Sequence, residues 1–151
     1  MKKMLTLVLC LIALSGLALA NHTEIIGGLR DGVAFGLKTE EAHLAGLTLA
    51  YGLEATTGED FSFSGDNPLI IFGGVELPFG VLGARKIPTF LEIGPVGYFG
   101  LQSQVGIYAS FMFKHIYGER PLDLEAGFDY FGDHGHVTLQ LGYTLYSGLT
   151  P

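Results

Sequence analysis

His136-Val137-Thr138-Leu139-Gln140-Leu141-Gly142-Tyr143-Thr144-Leu145-Tyr146 is the stretch whose reading decides the fold. Val137, Leu139, Leu141, Tyr143 and Leu145 fall on one parity; His136, Thr138, Gln140, Gly142 and Thr144 fall on the other. A β-strand sends successive side chains to opposite faces, so this segment has one oily face and one polar face. At about ten residues, and tilted, such a strand is long enough to cross the hydrocarbon core of a bilayer. A soluble antiparallel sheet alternates in the same way. The neighbouring segments must therefore say whether the oily face meets lipid or a core.

Working back from that strand, Gly132-Asp133-His134-Gly135 is a turn. Before it, Leu122, Leu124, Ala126, Phe128 and Tyr130 alternate with Asp123, Glu125, Gly127 and Asp129. In Gln104–Lys114, Val105, Ile107, Ala109, Phe111 and Phe113 oppose Gln104, Gly106, Tyr108, Ser110, Met112 and Lys114. Thr89 to Leu101 is a long candidate strand, and its Pro95 points to a bulged or edge-like one. Leu69 to Leu77 is apolar on both parities until Glu76, and Pro78 and Gly80 are expected to end it. Val81 to Pro88 reads as either a short strand or a loop.

Nearer the start, Ala45 to Ala55 alternates cleanly, with Leu47 and Leu49 opposite Thr48 and Glu54. Val33, Phe35 and Leu37 alternate with Ala34, Gly36 and Lys38, and Thr39-Glu40-Glu41 reads as a short polar turn. Asp31-Gly32 is a turn signal. Asn21 to Arg30 does not alternate around Gly27-Gly28 and stays ambiguous. Thr56 to Pro68 is the longest polar connection, an exposed loop with three acids. This reading gives seven strands plus the piece at Val81–Pro88. Single-chain bacterial barrels use even numbers, so eight is the expected count.

Charge parity separates the faces. Lys38, Glu54, Glu76, Glu92, Lys114, Asp123, Glu125 and Asp129 sit opposite the Leu/Val/Phe set, Glu76 least cleanly. They are the expected lumen-facing charges. Leu47, Leu49, Val105, Ile107, Phe111, Leu122, Leu124, Val137, Leu139 and Leu141 are the expected lipid-facing residues. The polar parity is rich in small residues such as Ala50, Gly52, Gly106, Ser110, Gly127 and Gly142, as the narrow interior of a small barrel requires. Phe99, Phe113, Phe128, Tyr130, Tyr143 and Tyr146 lie toward strand ends, where interfacial girdles form. The lumen acids outnumber the bases, so some must pair with Lys38, Lys114 or Arg85, be hydrated, or stay protonated.

The amino terminus supplies the export context. Met1-Lys2-Lys3, an apolar run to about Leu14, and Ala18-Leu19-Ala20 read as a cleaved signal peptide, residues 1–20. The barrel domain is then residues 21–151. The single cysteine, Cys10, lies within the signal, so the mature domain has no disulfide. Without Lys2 and Lys3, six bases face fifteen acids, a formal charge of −9. That excludes a nucleic-acid partner. Mean hydropathy is +0.41 with 15% charged residues, yet no mature apolar run approaches the length of a spanning helix. Only strands would carry this chain through a membrane.

Residues 33–55 and 104–146 resemble the strands of small, eight-stranded outer-membrane β-barrel proteins of Gram-negative-type bacteria. The resemblance is one of pattern and covers most of the mature chain. It implies an all-β fold, a closed antiparallel up-and-down transmembrane barrel, located in the bacterial outer membrane. It also implies outer-membrane lipid and the barrel-assembly machinery as partners. Such proteins commonly end in an aromatic residue that marks the last strand for assembly. Here Tyr146 is followed by Ser147-Gly148-Leu149-Thr150-Pro151, so the aromatic terminus is displaced.

Chemistry is sparse. Asp133, His134 and His136, with Asp129 nearby, offer a loose metal-ligand set in a polar hairpin turn. His136 and Thr138 share the polar face at the spacing of the His and Ser in outer-membrane lipid A deacylases, but a triad is recognised by geometry. Neither carries an assignment: no catalytic residue and no cofactor is expected. The expected function is a non-enzymatic outer-membrane scaffold with a side-chain-filled lumen and acidic loops open to a surface partner. The competing class is a soluble periplasmic or secreted lipocalin-like barrel binding a small apolar ligand, its Leu/Val/Phe face turned inward. A lipid-modifying outer-membrane enzyme comes third.

Overall fold

The computed structural model describes residues 22–43, 47–58, 68–100, 103–118 and 120–147. Its strands are β1 (His22–Arg30), β2 (Val33–His43), β3 (Leu47–Thr56), β4 (Leu69–Leu82), β5 (Ile87–Phe99), β6 (Gln104–Phe113), β7 (Leu122–Tyr130) and β8 (Gly135–Ser147). Each strand pairs antiparallel with the next, and β8 returns to pair with β1, closing an up-and-down barrel. Closure leaves no strand with an unpaired edge. The fold is thus the all-β, eight-stranded antiparallel barrel that the alternation calls for. The signal segment 1–20, most of the acidic Thr56–Pro68 connection and the tail after Ser147 lie outside the described residues.

The eighth strand is not the expected one. It is the non-alternating stretch before the Asp31-Gly32 turn, where φ is +51° and +99°; a hairpin of this kind uses left-handed residues. In β1, Ile26 points inward and joins an internal cluster with Ile70, Phe72, Val96, Tyr98 and Tyr108. An apolar residue on the luminal parity is what breaks the pattern there, and Ile70 and Phe72 do the same in β4. Val81–Pro88 forms no strand of its own. It is the tip of the β4–β5 hairpin, with Val81 opposite Pro88, Leu82 opposite Ile87, and a turn closed by the Lys86 N–H donating to the Gly83 carbonyl at 3.1 Å.

Three further expectations are corrected. Thr39-Glu40-Glu41 is not a turn: β2 runs on to His43, with Glu40 opposite His22 on β1 and Ala50 on β3. Pro78 and Gly80 do not end β4; they mark a β-bulge in its pairing with β5. Pro95 does not make β5 an edge, since β5 pairs on both sides. Its missing N–H falls where the β4 ladder steps from Phe72–Val96 to Val75–Ile93, leaving Gly94 and Pro95 without partners on β4 while they pair with Tyr108 and Ile107 on β6.

Side chains sort by parity all round the barrel. Val105 and Val137 are each 71% exposed, and Phe35, Ile107, Leu139 and Leu141 share that outer face. Leu47, Leu49 and Phe111 are exposed as well, while Leu122 and Leu124 on the same face are half-buried by neighbours. The interior carries the charges.

Candidate functional site in the barrel lumen

Seven of the eight charges expected in the lumen are buried there: Lys38, Glu54, Glu76, Glu92, Asp123, Glu125 and Asp129. Lys114 is partly buried at the end of the barrel where β1 begins and β8 ends, the terminal end. Glu24, Arg30 and Glu40, which alternation did not single out, join them. Strand register brings these groups together across the barrel, far apart in sequence.

They are arranged as one cation between two carboxylates, three times over. At the end away from the termini, Arg30 donates to Glu54 through Nη1 at 2.6 Å and to Asp129 through Nε and Nη2 at 2.8 and 3.0 Å. The Tyr98 hydroxyl donates to Asp129 at 2.6 Å and the Gln140 amide to Glu54 at 2.5 Å. The guanidinium lies 4.5 Å above the Phe72 ring. At mid-height the Lys38 ammonium holds Glu92 and, at 3.3 Å, Glu125, with Met112 Sδ at 3.4 Å. The Tyr108 hydroxyl also donates to Glu92. Nearer the termini, Lys114 holds Glu40 at 2.6 Å and Glu76 at 2.9 Å, over the Phe90 ring. A buried charge is tolerable only when paired and hydrogen-bonded, and these layers meet that condition. Arg85 takes no part; it sits exposed at the β4–β5 hairpin tip.

A fourth layer differs. Glu24 and Asp123 face each other beside His22, whose Nε2 is 3.0 Å from Glu24 Oε1 and 3.2 Å from Thr144 Oγ1. These are the His, Asp and Glu donors that converge, all within 4.8 Å of one another, among the described residues. The Asp133–His134–His136 set is arranged otherwise. His134 spends Nδ1 on Asp133 at 2.6 Å and Nε2 on Gln104 at 2.8 Å. That contact holds the exposed Asp133 carboxyl below the usual aspartate range. His136 turns inward, stacks on Tyr98 at 5.5 Å and reaches Asp31 at 3.4 Å. Thr138 is buried on the same inner face, away from the outer surface.

The fold and this lumen define a closed eight-stranded barrel with a charged, filled interior and an apolar exterior. No family model, curated protein or solved structure matches the chain.

Proposed function

We propose that this chain is an outer-membrane β-barrel with a structural or interaction role, its lumen plugged by ion-paired side chains. One observation carries the reading: the barrel is inside-out relative to a water-soluble one. Ile25, Leu29, Phe35, Ile107, Val137 and Leu139 are 47–71% exposed on the outside, around buried Arg30, Lys38 and Glu92. A soluble protein rarely exposes a contiguous apolar patch beyond a few hundred Å². A bilayer demands such a belt. Phe99 and Tyr130 near one end of the belt, and Phe113 and Tyr143 near the other, stand where aromatic girdles sit. The export signal read in residues 1–20 fits the same location. A lipocalin-like carrier needs the opposite orientation and an apolar hollow where the Arg30 and Lys38 layers lie.

The barrel then serves as a rigid membrane anchor for its connections, the acidic Thr56–Pro68 segment being the longest. Fractionation of the expressed protein tests the location. Recovery with outer membranes, released only by detergent, is the expected result. Recovery from the soluble periplasm without detergent overturns it.

A further inference from the structure

We propose that His22, Glu24 and Asp123 form a binding site for a zinc-type divalent cation at the terminal end of the lumen. The inference stands on the register of β1, β7 and β8 and is independent of what surrounds the barrel.

The lumen repeats one arrangement, two carboxylates around one cation. Arg30 serves Glu54 and Asp129, Lys38 serves Glu92 and Glu125, and Lys114 serves Glu40 and Glu76. Glu24 and Asp123 are the fourth pair, and the group between them is an imidazole. Glu24 is 0% and Asp123 1% exposed, and Glu24 Oε2 and Asp123 Oδ2 have no hydrogen-bond partner among the described residues. Glu40, Glu76 and Glu125 also carry one such oxygen each, but each holds a lysine through its other oxygen. Among the described residues, His22 meets Glu24 Oε1 and the His115 backbone N–H donates to Asp123 Oδ1 at 2.7 Å. Between these two buried carboxylates stands an imidazole, a metal-ligating group, where every other layer has a lysine or arginine.

The backbone is shaped for the pair to meet. Glu24 and Asp123 belong to strands on either side of β8. Gly142, opposite both Ile26 and Asp123, leaves the space between them open. A Cβ there would lie 2.6 Å from Glu24 Oε2. A β-bulge in the closing β1–β8 ladder falls between Thr23 and Glu24, and bulges re-aim side chains. Imidazole nitrogen with two carboxylate oxygens is a donor set for zinc, not for magnesium or calcium, which prefer all-oxygen shells. Zinc bonds of about 2.0–2.2 Å ask the three donors to draw in by about 1 Å. A fourth position remains for the Thr144 hydroxyl or water. The His22 side chain is 25% exposed, so the ion enters from the barrel mouth.

The test uses the full mature chain without a polyhistidine tag, folded in detergent, stripped with chelator and titrated with zinc by calorimetry. One equivalent is expected, with magnesium in hundredfold excess failing to displace it. His22→Ala and Asp123→Asn should each weaken binding at least tenfold. Gly142→Ala should do the same while keeping the barrel, because the new methyl crowds the movable tip of Glu24 and meets Ile26 only at ordinary contact distance. His134→Ala should bind like the parent. Heat-modified gel migration reports that each variant is folded. No zinc binding up to millimolar concentration, binding indifferent to all three site variants, loss on His134→Ala alone, or displacement by magnesium would each overturn the assignment.

Discussion

Arg30 and Asp129 meet through two parallel hydrogen bonds, Nε to Oδ2 at 2.8 Å and Nη2 to Oδ1 at 3.0 Å, although ninety-nine residues separate them. Such a bidentate fork adds fixed geometry to charge-assisted hydrogen bonds, which are about twice as strong as neutral ones. Arg30 also holds Glu54, so one guanidinium compensates two buried acids. Arg30→Met should therefore cost about 3–5 kcal/mol, the usual penalty for leaving a buried partner unpaired. Arg30→Lys keeps the charge, loses the fork and should cost about 1–3 kcal/mol. Urea unfolding followed by circular dichroism measures both, since the chain has no tryptophan. Midpoints equal to the parent's would mean that the pair contributes nothing.

On the outer face, Leu139 lies opposite Leu29 and Ala126, midway along its strand. Leu139→Arg should lower the stability of the vesicle-folded protein by about 2–4 kcal/mol, the cost of a cation at mid-bilayer. Leu145→Arg, near the strand end, should cost clearly less. Equal and negligible effects at both positions would place this face in water.

Phe72 is buried in the lumen, edge-on to Tyr108 at 5.6 Å and under the Arg30 guanidinium. Phe72→Ala should cost about 3–5 kcal/mol through the cavity it opens. The parent protein in a planar lipid bilayer should pass no stepwise ionic current. A steady open-channel conductance would contradict a lumen filled by Phe72, Tyr108, Arg30 and Lys38.

At the β7–β8 turn, the His134 hydrogen bond depresses the Asp133 carboxyl. A carboxyl depressed on folding adds stability above its unfolded value of about 3.9 and loses it as pH falls through the folded value. The contribution is small, because Asp133 is exposed. Carboxyl NMR titration should place its midpoint below the ordinary aspartate value, and His134→Ala should return it there. An ordinary midpoint in the parent would show that the contact does not persist.

The strands with polar and small residues inward, β6, β7 and β8, were legible because lumen and outer face differ sharply in composition. Where the interior turns apolar, at Ile26 in β1 and at Ile70 and Phe72 in β4, alternation disappears and only pairing reveals the strand. Glu40 was misread for the converse reason. Thr39-Glu40-Glu41 looks like a solvated turn in a soluble protein, whereas here Glu40 continues the inward parity of Lys38 to reach Lys114. The two-acids-per-cation layering was not legible, because it joins β1 to β3 and β7, and β2 to β5, β6 and β7. His22, Glu24 and Asp123 share one layer only through closure of β8 on β1. The signal available beforehand was inward parity alone, which His22 and Glu24 share with every second residue of β1.

Closure has a consequence for charge as well. Arg30 and Lys38 lie on the first two strands, yet each is compensated by an acid on the seventh, Asp129 and Glu125. A chain lacking β7 and β8 keeps Glu54 for Arg30 and Glu92 for Lys38 but lacks the second carboxylate of each layer and the strand that seals β1. The full ionic layers and the closed ladder between β8 and β1 therefore both depend on the last two strands. The same two strands thus complete both the charge balance of the lumen and the hydrogen bonding of the wall.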